Sequence, residues 1–138
     1  DSLDLESGTI MFWMKPSAFE DFAFVVGKPG YGAGKDNNYL VFVRNGFVRS
    51  VLGDGASEIS AVNADLVLDR WHHYALKWND SKLQTYIDGQ FIGEIAQDLT
   101  PLENTDSLYI GKGISNYPFN GAIDNLKLYN KFINKNLK

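Results

Sequence analysis

Cysteine is absent from the 138-residue chain. That excludes disulfides, thiolate nucleophiles and Cys-ligated metal sites. Histidine is almost absent too: His72 and His73 are the only two, and they are adjacent. A zinc centre draws on three or four N, S or O ligands. Neighbours on a strand point to opposite faces, so one ring is expected to pack in a sheet and the other to be exposed. No Lys/Arg cluster exists: 13 basic residues stand against 17 acidic ones, for a net charge of −4. A phosphate-backbone partner needs a basic face, so nucleic acid is excluded. No apolar run approaches the roughly 20 residues of a membrane-spanning helix, which speaks against membrane insertion. The most Gly-rich segment, Lys28 to Asn38, holds Gly30, Gly32 and Gly34 with no helical pattern after it. Phosphate-cradling loops need a helix N-terminus there.

What the chain does have is aromatic residues and turns. Three Trp, seven Tyr and nine Phe contribute to a hydrophobic fraction of 44%, enough for the packed core of one domain. Strand chemistry recurs over Gly8–Lys15, Phe22–Lys28, Tyr39–Asn45, Phe47–Leu52, Glu58–Val62, Trp71–Trp78, Lys82–Ile87, Phe91–Ile95, Ser107–Gly111 and Gly121–Tyr129. Pro29-Gly30, Asn45-Gly46, Asp54-Gly55, Asp88-Gly89 and Tyr117-Pro118 punctuate it. Many short strands at this spacing predict an all-β, antiparallel two-sheet sandwich of the jelly-roll kind. Residues 1–130 form the domain in this reading. Lys131 to Lys138, polar and rich in Lys and Asn, are a tail, a short helical end or the start of a linker. The chain begins at Asp1 rather than Met, so it is expected to be part of a longer protein with other domains.

Three motifs carry a resemblance. Trp71-His72-His73-Tyr74-Ala75-Leu76-Lys77-Trp78, followed by Leu83-Gln84-Thr85-Tyr86-Ile87-Asp88-Gly89, resembles the central signature of laminin G-like domains. Pentraxins and other concanavalin A-like jelly rolls share it. Gly8 to Pro16 (GTIMFWMKP) is similar to the early Trp-x-x-Pro strand, and Leu108-Tyr109-Ile110-Gly111 with Phe119 to Asn130 to the closing strands. The resemblance implies a non-catalytic recognition module on a secreted or cell-surface protein, binding a glycan or an extracellular protein through rim loops. A structural or assembly module without a soluble ligand is the alternative. The family usually has a further strand upstream of Gly8. Without it, a sheet edge would be bare.

Candidate site residues follow from chemistry and from the resemblance. Asp36-Asn37-Asn38-Tyr39-Leu40-Val41-Phe42 resembles the stretch that opens the pentraxin calcium site, but residues 113–118 contain no carboxylate to complete it. An Asx-turn is the other reading of Asp36 and Asn37. Asp124 alternates in phase with Leu126 and Leu128. On a core face, a carboxylate must be paired, hydrogen-bonded or metal-bound. The resemblance implies a structural calcium ion near such an Asp. Asp54, in Gly53-Asp54-Gly55, is a weaker metal candidate. Tyr31 and Tyr117, the latter beside Asn116, are loop aromatics suited to stacking on a sugar. Trp13, Trp71 and Trp78 are expected in the core. Glycosidases of this fold place two acids at alternating strand positions. No strand here has that pattern, so hydrolysis is not expected.

The Asp88-Gly89 turn yields a direct test. A two-residue hairpin loop that matches strand twist needs positive φ. Gly89→Val should therefore cost about 1 kcal/mol or more, read as a lowered denaturant midpoint. An unchanged midpoint and slope would refute the turn.

Overall fold

The computed structural model describes residues 5–19, 21–28, 38–101, 107–111 and 117–134. Among these no helix occurs. Eleven strands run in chain order: β1 Gly8–Pro16, β2 Ala23–Lys28, β3 Tyr39–Arg44, β4 Phe47–Gly53, β5 Glu58–Ser60, β6 Ala64–Asp65, β7 His72–Trp78, β8 Lys82–Ile87, β9 Gln90–Ala96, β10 Tyr109–Ile110 and β11 Gly121–Tyr129. A five-stranded sheet has the order β11-β1-β7-β8-β9. A six-stranded sheet has the order β10-β2-β3-β4-β5, with β6 also paired to β4. All strand pairings are antiparallel. Ten of these strands coincide with sequence expectations. The two-residue β6 was not expected, being too short to show a period.

Each strand gives alternate side chains to one apolar layer between the sheets. From the five-stranded sheet come Ile10, Phe12 and Met14, then Tyr74, Leu76 and Trp78. Tyr39, Val41, Val43, Val48 and Leu52 meet them from the six-stranded sheet. Phe12 and Tyr74 lie 5.6 Å apart, Tyr39 and Trp78 5.9 Å. The Tyr74 hydroxyl is bound to Ser50 Oγ at 2.5 Å across the layer. Burial raises the Tyr74 pKa well above its usual value. The two hydroxyls satisfy each other where water is absent.

β1 is an inner strand, flanked by β7 and β11. The edges of its sheet are β11 and β9. The chain after β11 does not leave the domain at once. Thr9 Oγ1 donates to Lys131 O at 2.8 Å, and Ile133 N–H donates to Thr9 Oγ1 at 3.2 Å. Lys77 Nζ donates to Ile133 O at 2.7 Å. Its ammonium also lies 4.5 Å from the Phe132 ring centre. Met11 and Ala75 are buried beneath Tyr86, Tyr129 and Ile133. Residues 131–134 are thus an extended strap over the outer face of the five-stranded sheet, not a helical turn.

Sheet register leaves no room at Gly27, which pairs with Leu40. A Cβ there would sit 2.5 Å from Tyr39 O and 2.9 Å from Leu40 Cα, both backbone atoms. Gly27→Ala should therefore destabilise the domain by about 1–3 kcal/mol, the usual cost of overpacking. Chemical denaturation checks this; an unchanged stability would mean that β2 and β3 are farther apart.

Candidate functional site

Strand alternation sends one set of side chains outward from the six-stranded sheet. On β3, with Tyr39, Val41 and Val43 inward, Phe42 and Arg44 face out. Phe22, just before β2, stacks on Phe42 with ring centres 4.8 Å apart. The Arg44 guanidinium lies 5.9 Å from both ring centres, and its Nε–H donates to Asp21 O at 2.9 Å. Arg49 on β4 is held by Asn63 Oδ1 at 2.8 Å. Tyr117 closes the arrangement. Its backbone O accepts from Phe24 N–H at 2.8 Å, and its ring meets Phe22 edge-on at 5.4 Å. The ring remains 52% exposed. Asp21, Phe22, Tyr117, Pro118, Phe119, Asn120 and Gly121 line an open groove of about 730 Å³ here, within the size range of small-ligand sites.

Of the residues expected from sequence to bind ligand, Tyr117 lies on this groove. Tyr31, Asp36, Asn37 and Asn116 are outside the described residues. Sequence reasoning missed Phe22, Phe42 and Arg44. The available signal was a Phe and an Arg at the outward phase of a strand whose other phase is wholly apolar.

Asp124 requires a correction. It is exposed, and it does not share a face with Leu126 and Leu128. The β1–β11 register slips between Met11↔Lys127 and Trp13↔Asp124, and Asn125 takes a positive φ of 58°. That β-bulge shifts the phase by one residue, so Ile123, Leu126 and Leu128 pack on the core while Asp124 faces out. The burial argument for calcium at Asp124 therefore falls. Among the described residues no three His, Asp or Glu side chains gather to hold a metal. Asp54 caps its own turn: Oδ1 accepts from Ala56 N–H at 2.9 Å and Ser57 N–H at 2.6 Å, and these bonds lower its pKa.

The tryptophans and histidines also differ from expectation. Trp78 is fully buried, but Trp13 is 38% and Trp71 46% exposed. Trp13 occupies the outward phase of β1, and Trp71 precedes β7. Both histidines are buried, each 5% exposed. The His72 and His73 positions converge on Asp88. Val67 N–H donates to His72 Nε2 at 3.0 Å, which leaves His72 Nδ1–H to donate to Asp88 Oδ2 at 3.1 Å. His73 contributes its backbone, N–H donating to Asp88 Oδ1 at 2.9 Å. Its ring meets Trp13 edge-on at 5.1 Å.

The sequence profile of the concanavalin A-like lectin/glucanases superfamily matches residues 1–136. The chain belongs to this superfamily. No curated protein sequence matches it significantly. Among solved structures, the carbohydrate-binding module CBM40 of the Ruminococcus gnavus IT-sialidase, bound to α2,3-sialyllactose, superposes with a TM-score of 0.78 at 19% identity. That superposition covers 94% of this chain and 78% of the other. A heptameric SAP-like pentraxin of Limulus polyphemus gives 0.70 at 13% identity, covering 94% and 66%. Mouse laminin α1 LG4-5 gives 0.71 at 13%, covering 93% and 36%. These likenesses bear on the fold: a concanavalin A-like sandwich, as the motifs implied.

Burial lowers the His73 pKa; the Asp88 charge opposes this and Lys127 adds to it. A histidine depressed on folding keeps its full stabilising effect above the unfolded value, about pH 6.5, and loses it as pH falls through that range. Denaturant midpoints measured from about pH 7 down to about pH 5 should therefore fall less steeply in His73→Phe than in the unsubstituted protein. Parallel profiles would contradict a depressed His73.

Proposed function

We propose that the domain is a non-catalytic carbohydrate-binding module of a secreted or surface protein. Its glycan site is the groove at the rim of the sandwich, between the residues leading into β2 and those leading into β11. The observation that carries this is Tyr117, half exposed and braced edge-on by Phe22. A rigid aromatic at a groove mouth offers a flat apolar face for the C–H side of a pyranose, at little entropic cost. Arg44, anchored by Asp21 O and lying by the Phe22 and Phe42 rings, supplies a fixed planar cation near the groove, on the far side of Phe22 from Tyr117. A guanidinium pairs bidentately with a carboxylate, which suits an acidic sugar. The sialyllactose held by the structurally similar CBM40 module fits the same class. Among the described residues no pair of strand acids is set up for hydrolysis, and those lining the groove include one carboxylate, Asp21. Glycosidases work with two.

The described residues offer calcium no ligand cluster; a structural ion bound elsewhere to the folded state would raise the melting temperature by mass action, and melts with and without chelator test it. Sialyllactose titrated by calorimetry tests the site. Tyr117→Ala should weaken binding at least about tenfold, equivalent to 1.4 kcal/mol, with the melting temperature unchanged because the ring is half exposed. Undiminished binding would remove the glycan from this groove. Reducing-sugar release by the pure protein would overturn the non-catalytic reading.

A further inference from the structure

The opposite face of the sandwich carries a second concave feature. Trp13, His73, Asp88 and Gly89 line a groove of about 340 Å³ on the outer side of the five-stranded sheet. Among the described residues, those of the strap that covers Met11 and Ala75 do not line it. Trp13 and His73 are direct partners across β1 and β7, so their rings share one patch. Trp13 is the more exposed of the two.

Three features mark this patch as prepared for a polar ligand. The first is the Asp88 carboxylate, which is held by both histidine positions while its side chain stays 51% exposed. Asp88 also has a positive φ of 52°, and its N–H donates to His73 O at 2.7 Å. The hairpin turn therefore fixes the acid in place, with lone pairs to spare on each oxygen. The second is His73, whose ring is almost wholly buried and whose Nδ1 has no hydrogen-bond partner. A buried polar side chain without partners is unusual. The third is Trp13, a broad aromatic surface beside both.

We propose that this groove is a second sugar subsite, taking one neutral pyranoside. The ring stacks on Trp13, hydroxyls donate to Asp88, and His73 Nδ1, the ring atom left without a partner, accepts from a further hydroxyl. An anionic sugar would be driven against Asp88, so the two faces select different chemistry. The acidic glycan goes to the Arg44 side and the neutral sugar to the Trp13 side. The subsite stands whether or not the first groove binds sialyllactose.

Methyl β-D-galactopyranoside and methyl β-D-glucopyranoside, titrated into labelled protein, test this by NMR. One of them should shift the Trp13 indole N–H and the Gly89 amide saturably, and leave the Tyr117 region unmoved. Trp13→Ala and His73→Phe should each abolish those shifts, while Tyr117→Ala should retain them. His73→Phe keeps an aromatic ring at the buried position, so it remains informative if Trp13→Ala does not fold. Absence of shifts at Trp13 and Gly89 with both sugars would overturn the subsite. Shifts that map to Tyr117, or that survive both substitutions, would do the same. Sialyllactose binding retained in Trp13→Ala would show that the two faces act independently.

Discussion

One apolar layer lies between the two sheets, and every long strand surrenders alternate side chains to it. Ile10, Phe12 and Met14 on β1 and Tyr74, Leu76 and Trp78 on β7 fill it from one side. That constraint settles where everything else goes. Side chains of the opposite phase cannot enter the core, so they build the outer faces, where recognition is available. The Ser50–Tyr74 hydrogen bond is a polar contact that crosses the layer with both partners buried. Left alone, either hydroxyl would carry a desolvation cost.

Because phase decides function here, a one-residue slip has large consequences. The bulge at Asn125 moves Asp124 from the expected inner face to the outer one. The same logic, without a bulge, puts Trp13 and His73 outside while Phe12 and Tyr74 go inside. Aromatic character alone does not separate the two sets; strand position does.

The fold was legible because its signals are local. Asp88-Gly89 and Asn45-Gly46 adopt the positive φ values their turns require, and strand alternation is a period of two. The sites were less legible because they are assembled across distant strands. Tyr117 could be named as a loop aromatic, yet its partner Phe22 lies 95 positions earlier and is brought near by the β2 pairing. Arg44 gave only its outward phase. Asp88 read as a turn residue, and its second role depends on His72 reaching it from the neighbouring strand end. Asn125 carried no warning beyond its side chain, since a residue type that tolerates αL need not adopt it.

The account's central claim is that glycan recognition sits in the rim groove beside β2, at Tyr117 and the aromatic and arginine cluster anchored by β2 and β3. A crystal structure of the domain with sialyllactose tests it most directly. The account predicts sugar density over the Tyr117 ring, with the sialic carboxylate within hydrogen-bonding distance of the Arg44 guanidinium. Density elsewhere on the domain, with the Tyr117 groove empty, would contradict it.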